Sequence, residues 1–195
     1  MSRGLGDVYK RQKLMYGFNY FSVQGNFRSI NDRGQEENAK ELFLTESANF
    51  CDAETTVSEL LKETTQFPDT IDIPKINRLD KVKNLLYSDI LQVEKSEKKG
   101  YMEYSIDKEN GVILFSAKVQ FEEISGNKVK TTTEIYLIPA KSTSEVEKHL
   151  KAHLKDSVFD YKIPDVNGTK FDTILVLEET HRDLVKDYDL IKNRL

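Results

Sequence analysis

The stretch "YFSVQGNF" at residues 20–27 recurs as "LFSAKVQF" at residues 114–121, with Phe21-Ser22 over Phe115-Ser116 and Phe27 over Phe121. Three further matches follow in the same order. "ELFL" at 41–44 stands over "EIYL" at 134–137, and "AETTVSELL" from 53 over "VEKHLKAHL" from 146. "IDIPKIN" at 71–77 stands over "YKIPDVN" at 161–167. The four offsets are 94, 93, 93 and 90 residues, and four matches in one order at nearly one spacing predict an internal duplication.

Period and punctuation predict the elements of each unit. "FSVQGNF" and "FSAKVQF" alternate as half-buried strands do. A polar turn with a glycine, "NDRGQ" or "SGNK", leads into the next strand, "KELFL" or "TEIYL", so each pair reads as a hairpin. A helix follows, with Ala53, Val57, Leu60 and Leu61 on one face in the first unit, and Val146, Leu150 and Leu154 in the second. Ser142 and Glu145 have the spacing of a capping box, and Asp52 is the expected cap of the first helix. Each unit closes on an extended segment whose proline, Pro74 or Pro164, suits an edge strand, a bulge or a strand entrance. "LDKVKNLL" at 79–86 is compatible with a helix as well, and the duplication favours strand.

The expected fold is α+β: two pseudo-symmetric ββαβ units, at 13–88 and 111–178, with antiparallel sheet and helices packed on it around one shared core. A unit of about 80 residues buries proportionally little surface alone, which favours the shared core. Residues 89–110 read as an inserted hairpin, with Asn110-Gly111 as the turn into the second unit. Residues 179–195 read as a tail or short amphipathic helix carrying Leu184, Tyr188 and Ile191.

The first twelve residues, "MSRGLGDVYKRQ", have no dinucleotide or Walker glycine spacing and no helical apolar face. Residues 2–12 resemble a translated sequencing adapter, which implies a non-native extension detached from the core and a true N-terminus that is either missing or near Met15. Without its Arg3, Lys10, Arg11 and Asp7, the formal charge moves from −4 to −6. An acidic chain argues against bulk binding to a phosphate backbone. The single cysteine, Cys51, excludes an intrachain disulfide scaffold and fits a reducing cytoplasm. No apolar run is long enough for a membrane span, so no membrane association is expected.

Few residues present themselves for chemistry. His149 and His153, at i and i+4 with Glu145 a turn earlier, have a spacing that suits a divalent metal; the competing reading is ordinary imidazoles bordering an apolar helix stripe. Cys51 just before a helix start could be an activated thiol, but no base is placed beside it by sequence, and a small buried hydrophobe is the favoured reading. Tyr16, Phe18 and Tyr20, with Arg28 nearby, form an aromatic strand on which unstacked bases could lie. There is no phosphate loop and no nucleophile elbow, so neither a cofactor nor catalysis is expected.

The aromatic-led strand, the hairpin strand running into "ELFLTESANFCDAETTVSELL" and the Ile-containing closing segment resemble an uncharacterised family of small proteins. That family is a domain of unknown function seen in gut Bacteroidota and their phages. The resemblance covers most of 20–177, and the 89–110 insertion and the tail depart from it. It implies no catalytic residues. The expected function is a non-catalytic binding or scaffold protein recognising another protein; the alternative is a single-stranded nucleic-acid-binding accessory protein of a phage or mobile element.

Overall fold

The computed structural model describes residues 18–95, 100–125 and 128–195. Tyr16 and the adapter-like segment therefore lie outside the described residues. The described residues form an α+β fold of ten strands in two mixed sheets with three α-helices. The strands are β1 (Asn19–Ile30), β2 (Glu36–Ser47), β3 (Asp72–Arg78), β4 (Val82–Leu85), β5 (Gln92–Lys95), β6 (Tyr101–Ser105), β7 (Ile113–Ser125), β8 (Lys128–Ala140), β9 (Asp160–Gly168) and β10 (Thr173–Leu177). The helices are α1 (Phe50–Thr64), α2 (Thr143–His153) and α3 (Glu178–Ile191).

β1 pairs antiparallel with both β2 and β3, and β7 pairs antiparallel with both β8 and β9. Each hairpin meets its third strand through a register shift, between Gln24 and Asn26 in one case and Lys118 and Gln120 in the other. Pro74 and Pro164 fall at those two shifts, on sheet-edge strands, where a missing amide donor breaks no ladder.

Two expectations need correction. Each closing segment is two strands, not one: the chain turns at 79–81 and again at 169–172, so the order in each half is ββαββ. The final strands also leave their own half. β4 lies parallel to β8, and β10 lies parallel to β2, so neither sheet is purely antiparallel. Alternating hydrophobicity specifies which face of a strand is buried and carries no information on which sheet receives it. The 79–86 stretch resolves as strand at Val82–Leu85. β5 and β6 form an antiparallel hairpin that extends the six-stranded sheet beside β10.

Alternation distributes the apolar side chains between layers. Along β1, Tyr20 faces a central cluster with Leu44, Leu114, Leu137 and Ile174, while Phe21 and Val23 face α1. Along β7, Leu114 faces the centre while Phe115, Ala117 and Val119 face α2. The layers run helix, sheet, sheet, helix, and α3 closes the central cluster through Leu184. Each large apolar side chain fully buried this way contributes roughly 1.5–3 kcal/mol before entropy is counted.

The helix starts are specified locally. Asn49, not Asp52, caps α1: its side chain accepts the Asp52 amide at 2.9 Å, and the Asp52 carboxylate accepts the Ala48 amide at 3.1 Å. At α2, Ser142 accepts the Glu145 amide at 3.3 Å and Glu145 accepts the Lys141 amide at 2.7 Å, the reciprocal pattern expected of the capping box. Gly34 and Gly111 both adopt positive φ in the turns their sequences predicted. The C-terminal helix forms with Leu184 and Ile191 buried. No described helix is long and apolar enough to cross a membrane.

Candidate functional site

The inner face of the six-stranded sheet changes character along β1. Tyr20 is sealed in the central cluster, and the next inward side chains, Ser22 and Gln24, are polar and partly open. On β3, Asn77 and Lys75 stand opposite them; on β2, Leu42 pairs with Gln24 and Lys40 with Asn26. The loop entering β10 adds Lys170 and Asp172, and together these residues line a cleft of about 390 Å³.

Hydrogen bonds hold its walls. Gln24 donates to Asn26 at 3.1 Å along β1. Asp172 joins the loop to β2 twice: its carboxylate accepts the Leu42 amide at 2.7 Å, and its own amide donates to the Leu42 carbonyl at 2.8 Å. The other oxygen of Asp172 pairs with the Lys108 ammonium. The carboxylate lining the cleft is thus already neutralised, while Lys40, Lys75 and Lys170 are exposed and form no ion pair among the described residues. Lysine-rich, acid-poor clefts focus positive potential even on an acidic protein.

The residues singled out from sequence do not assemble into a site. Phe18 is half-buried, and Tyr20 is 1% exposed, so its ring has no free face for a base. Arg28 is exposed but pairs with Glu36 at 3.5 Å, and its backbone ties β1 to Thr65 and Thr70. His149 is buried, with its ring 5.8 Å from that of Tyr188, and burial pushes its pKa down to about 4, assisted by nearby His153. His153 packs on Tyr136 and is also depressed by burial, and Glu145 is occupied at the helix cap. No group of three or more His, Cys, Asp or Glu side chains able to hold a metal occurs among the described residues. Cys51 is exposed in the first turn of α1, which corrects the expectation of a buried small hydrophobe.

Sequence reasoning missed the three lysines because each sits alone, at an exposed strand or loop position, far from the others in the chain. One signal was available. Aligned with the offsets above, Lys40, Lys75 and Lys170 fall opposite Thr133, Asp165 and Asp80, whereas Ser22 and Asn77 fall opposite Ser116 and Asn167. Ser22 and Asn77 recur, the three lysines do not, and the one lysine at an aligned lining position of the other half is Lys118, opposite Gln24.

Comparison with curated proteins gave no match. A family model described as a domain of unknown function, DUF4494, matches residues 19–177, from the first residue of β1 to the last of β10. The matched span includes every strand that builds the cleft, and the chain belongs to the DUF4494 family.

Proposed function

We propose that the protein is a non-catalytic, cytoplasmic recognition module for another protein, built from a duplicated unit whose final strands are exchanged between halves. The recurring pairing order, the paired register shifts and the matching helix caps support descent from one unit. Exchange fastens the halves together, because neither sheet is complete without a strand from the other. The free, exposed Cys51 fits a reducing compartment.

The observation that carries the recognition reading is the open polar cleft on the six-stranded sheet. It offers cations and neutral hydrogen-bonding groups on three adjacent strands, whereas Tyr20, the one fully buried aromatic of the nucleic-acid reading among the described residues, is packed in the core. Base stacking needs an exposed ring face, and Tyr20 has none. Fluorescence anisotropy with labelled single-stranded DNA and RNA at low salt tests this choice. The expected result is no saturable binding at micromolar protein. Tight, salt-sensitive binding weakened by Phe18→Ala and Arg28→Ala would overturn the reading in favour of nucleic acid.

A further inference from the structure

Resting on the protein-recognition reading, we infer that the cleft between β3, β1, β2 and the 169–172 loop takes an acidic, extended segment of the partner. Its carboxylates engage Lys40, Lys75 and Lys170.

Charge is the first ground. Three exposed ammonium groups border one cleft with no acidic partner among the described residues, and Asp172 is spent on Lys108 and the Leu42 amide. Like charges gathered on one face repel, and an anionic ligand relieves that repulsion while neutralising a local field. The second ground is that the fold does not need these lysines. The same framework in the other half carries Thr133, Asp165 and Asp80 at the aligned positions, so the cationic character belongs to this cleft and not to the architecture.

The chemistry of the lining narrows the ligand. Every cation in the cleft is lysine, a flexible point charge, and no arginine fork is present for bidentate phosphate recognition. No aromatic side chain lines the cleft to stack a base. Ser22, Gln24 and Asn77 add neutral groups that can bond a peptide backbone, and Leu42 gives an apolar floor for side-chain methylenes.

Spacing fits an extended chain. Lys75 and Lys40 lie on the strands either side of β1, opposite Gln24 and Asn26, so they are offset by two strand spacings of ~4.8 Å across the sheet and by two residues, ~7 Å, along it, about 12 Å in all. Alternate side chains of an extended peptide recur every ~7 Å on one side, within the reach of lysine stems.

The test uses the full chain and fluorescein-labelled octaglutamate, read by anisotropy at low and physiological salt. Wild type is expected to bind and to weaken with salt. The triple variant K40Q/K75Q/K170Q is expected to lose about tenfold in affinity, the sum for three exposed ion pairs. The variant K118Q/K141Q/K155Q changes the net charge equally on other surfaces and is expected to bind as wild type does. All six lysines are exposed, and unchanged thermal unfolding of each variant verifies the fold. Absence of octaglutamate binding, or equal loss in both triple variants, would overturn the inference and leave the recognition reading standing. Binding of a labelled oligonucleotide lost with the same three lysines would overturn both.

Discussion

The Thr173 hydroxyl donates to the Glu41 carboxylate at 2.7 Å, so the strand that closes the second half is fastened to a partly buried acid of the first. The corresponding contact across the molecule runs from the Asn84 amide to Glu134, at 3.5 Å. In both cases an exchanged strand, β10 or β4, is met by the acid that opens the "ELFL" or "EIYL" motif. Burial raises the Glu41 pKa above its ordinary 4.5, the hydroxyl bond from Thr173 opposes that shift, and the charges of Asp172 and Glu103 add to it.

A folded-state pKa above the unfolded value means that the folded protein holds its proton more tightly. The buried carboxylate therefore costs stability at neutral pH, and this cost disappears as pH falls below the ordinary carboxyl value. Glu41→Gln is expected to unfold in urea at the same or higher midpoint than wild type at pH 7, with the gap closing in acid. Thr173→Val leaves the acid without its donor and is expected to cost about 1–3 kcal/mol. A large loss from Glu41→Gln at pH 7 would contradict the account.

His149 sets an acid limit. Its folded pKa of about 4 lies below the ordinary 6.5, so between those values the unfolded chain binds more protons. Its contribution is intact above the ordinary value and is lost progressively as pH falls, by up to ~1.4 kcal/mol per pH unit. His153 and His181 are depressed by burial and act in the same direction, while Asp89 beside His149 opposes it. Urea titrations at pH 7 and pH 5 are expected to show a clear loss for wild type and a smaller one for His149→Leu. An unchanged pH dependence in that variant would remove His149 from the explanation.

Gly25 is required by packing and not by its backbone angle. A Cβ there would lie 2.6 Å from Leu61 Cδ1 and 3.3 Å from Phe43 Cε2, both side chains in the layer between β1 and α1. Gly25→Ala is expected to cost roughly 1–3 kcal/mol through overpacking. Gly168→Ala, whose Cβ would meet Ile113 at an ordinary 3.4 Å, is expected to be neutral or mildly stabilising. Thermal unfolding of the pair checks the difference.

Removal of either helix cap, by Asn49→Ala or Ser142→Ala, is expected to cost about 0.5–2 kcal/mol. Asp52→Ala is expected to cost less than Asn49→Ala, because Asp52 supports the start of α1 from within its first turn. Chemical denaturation of the three variants gives the order directly.

Much of the fold was legible because it is written in local patterns. The alternation of Tyr20 to Phe27, the Ser142–Glu145 spacing and the glycine turns at Gly34 and Gly111 each specify structure within a few residues. The exchange of β4 and β10 was not legible, because the apolar pattern of "VKNL" and "TILVL" is satisfied equally by either sheet. Tyr20 misled for a related reason: an aromatic on an alternating strand looks the same whether its face meets solvent or a second sheet. The cleft was hidden because Lys40, Lys75 and Lys170 become neighbours only through the β1–β3 pairing and the return of the chain into β10.

Amide NMR spectra recorded while octaglutamate is added to the wild-type protein test the central claim most directly. The account predicts saturable shifts confined to Ser22, Gln24, Lys40, Lys75, Asn77 and Lys170 and their immediate neighbours, with Ser116, Lys118, Thr133, Asp165 and Asn167 unmoved. Shifts of equal size at both sets of positions, or none at the first set, would contradict it.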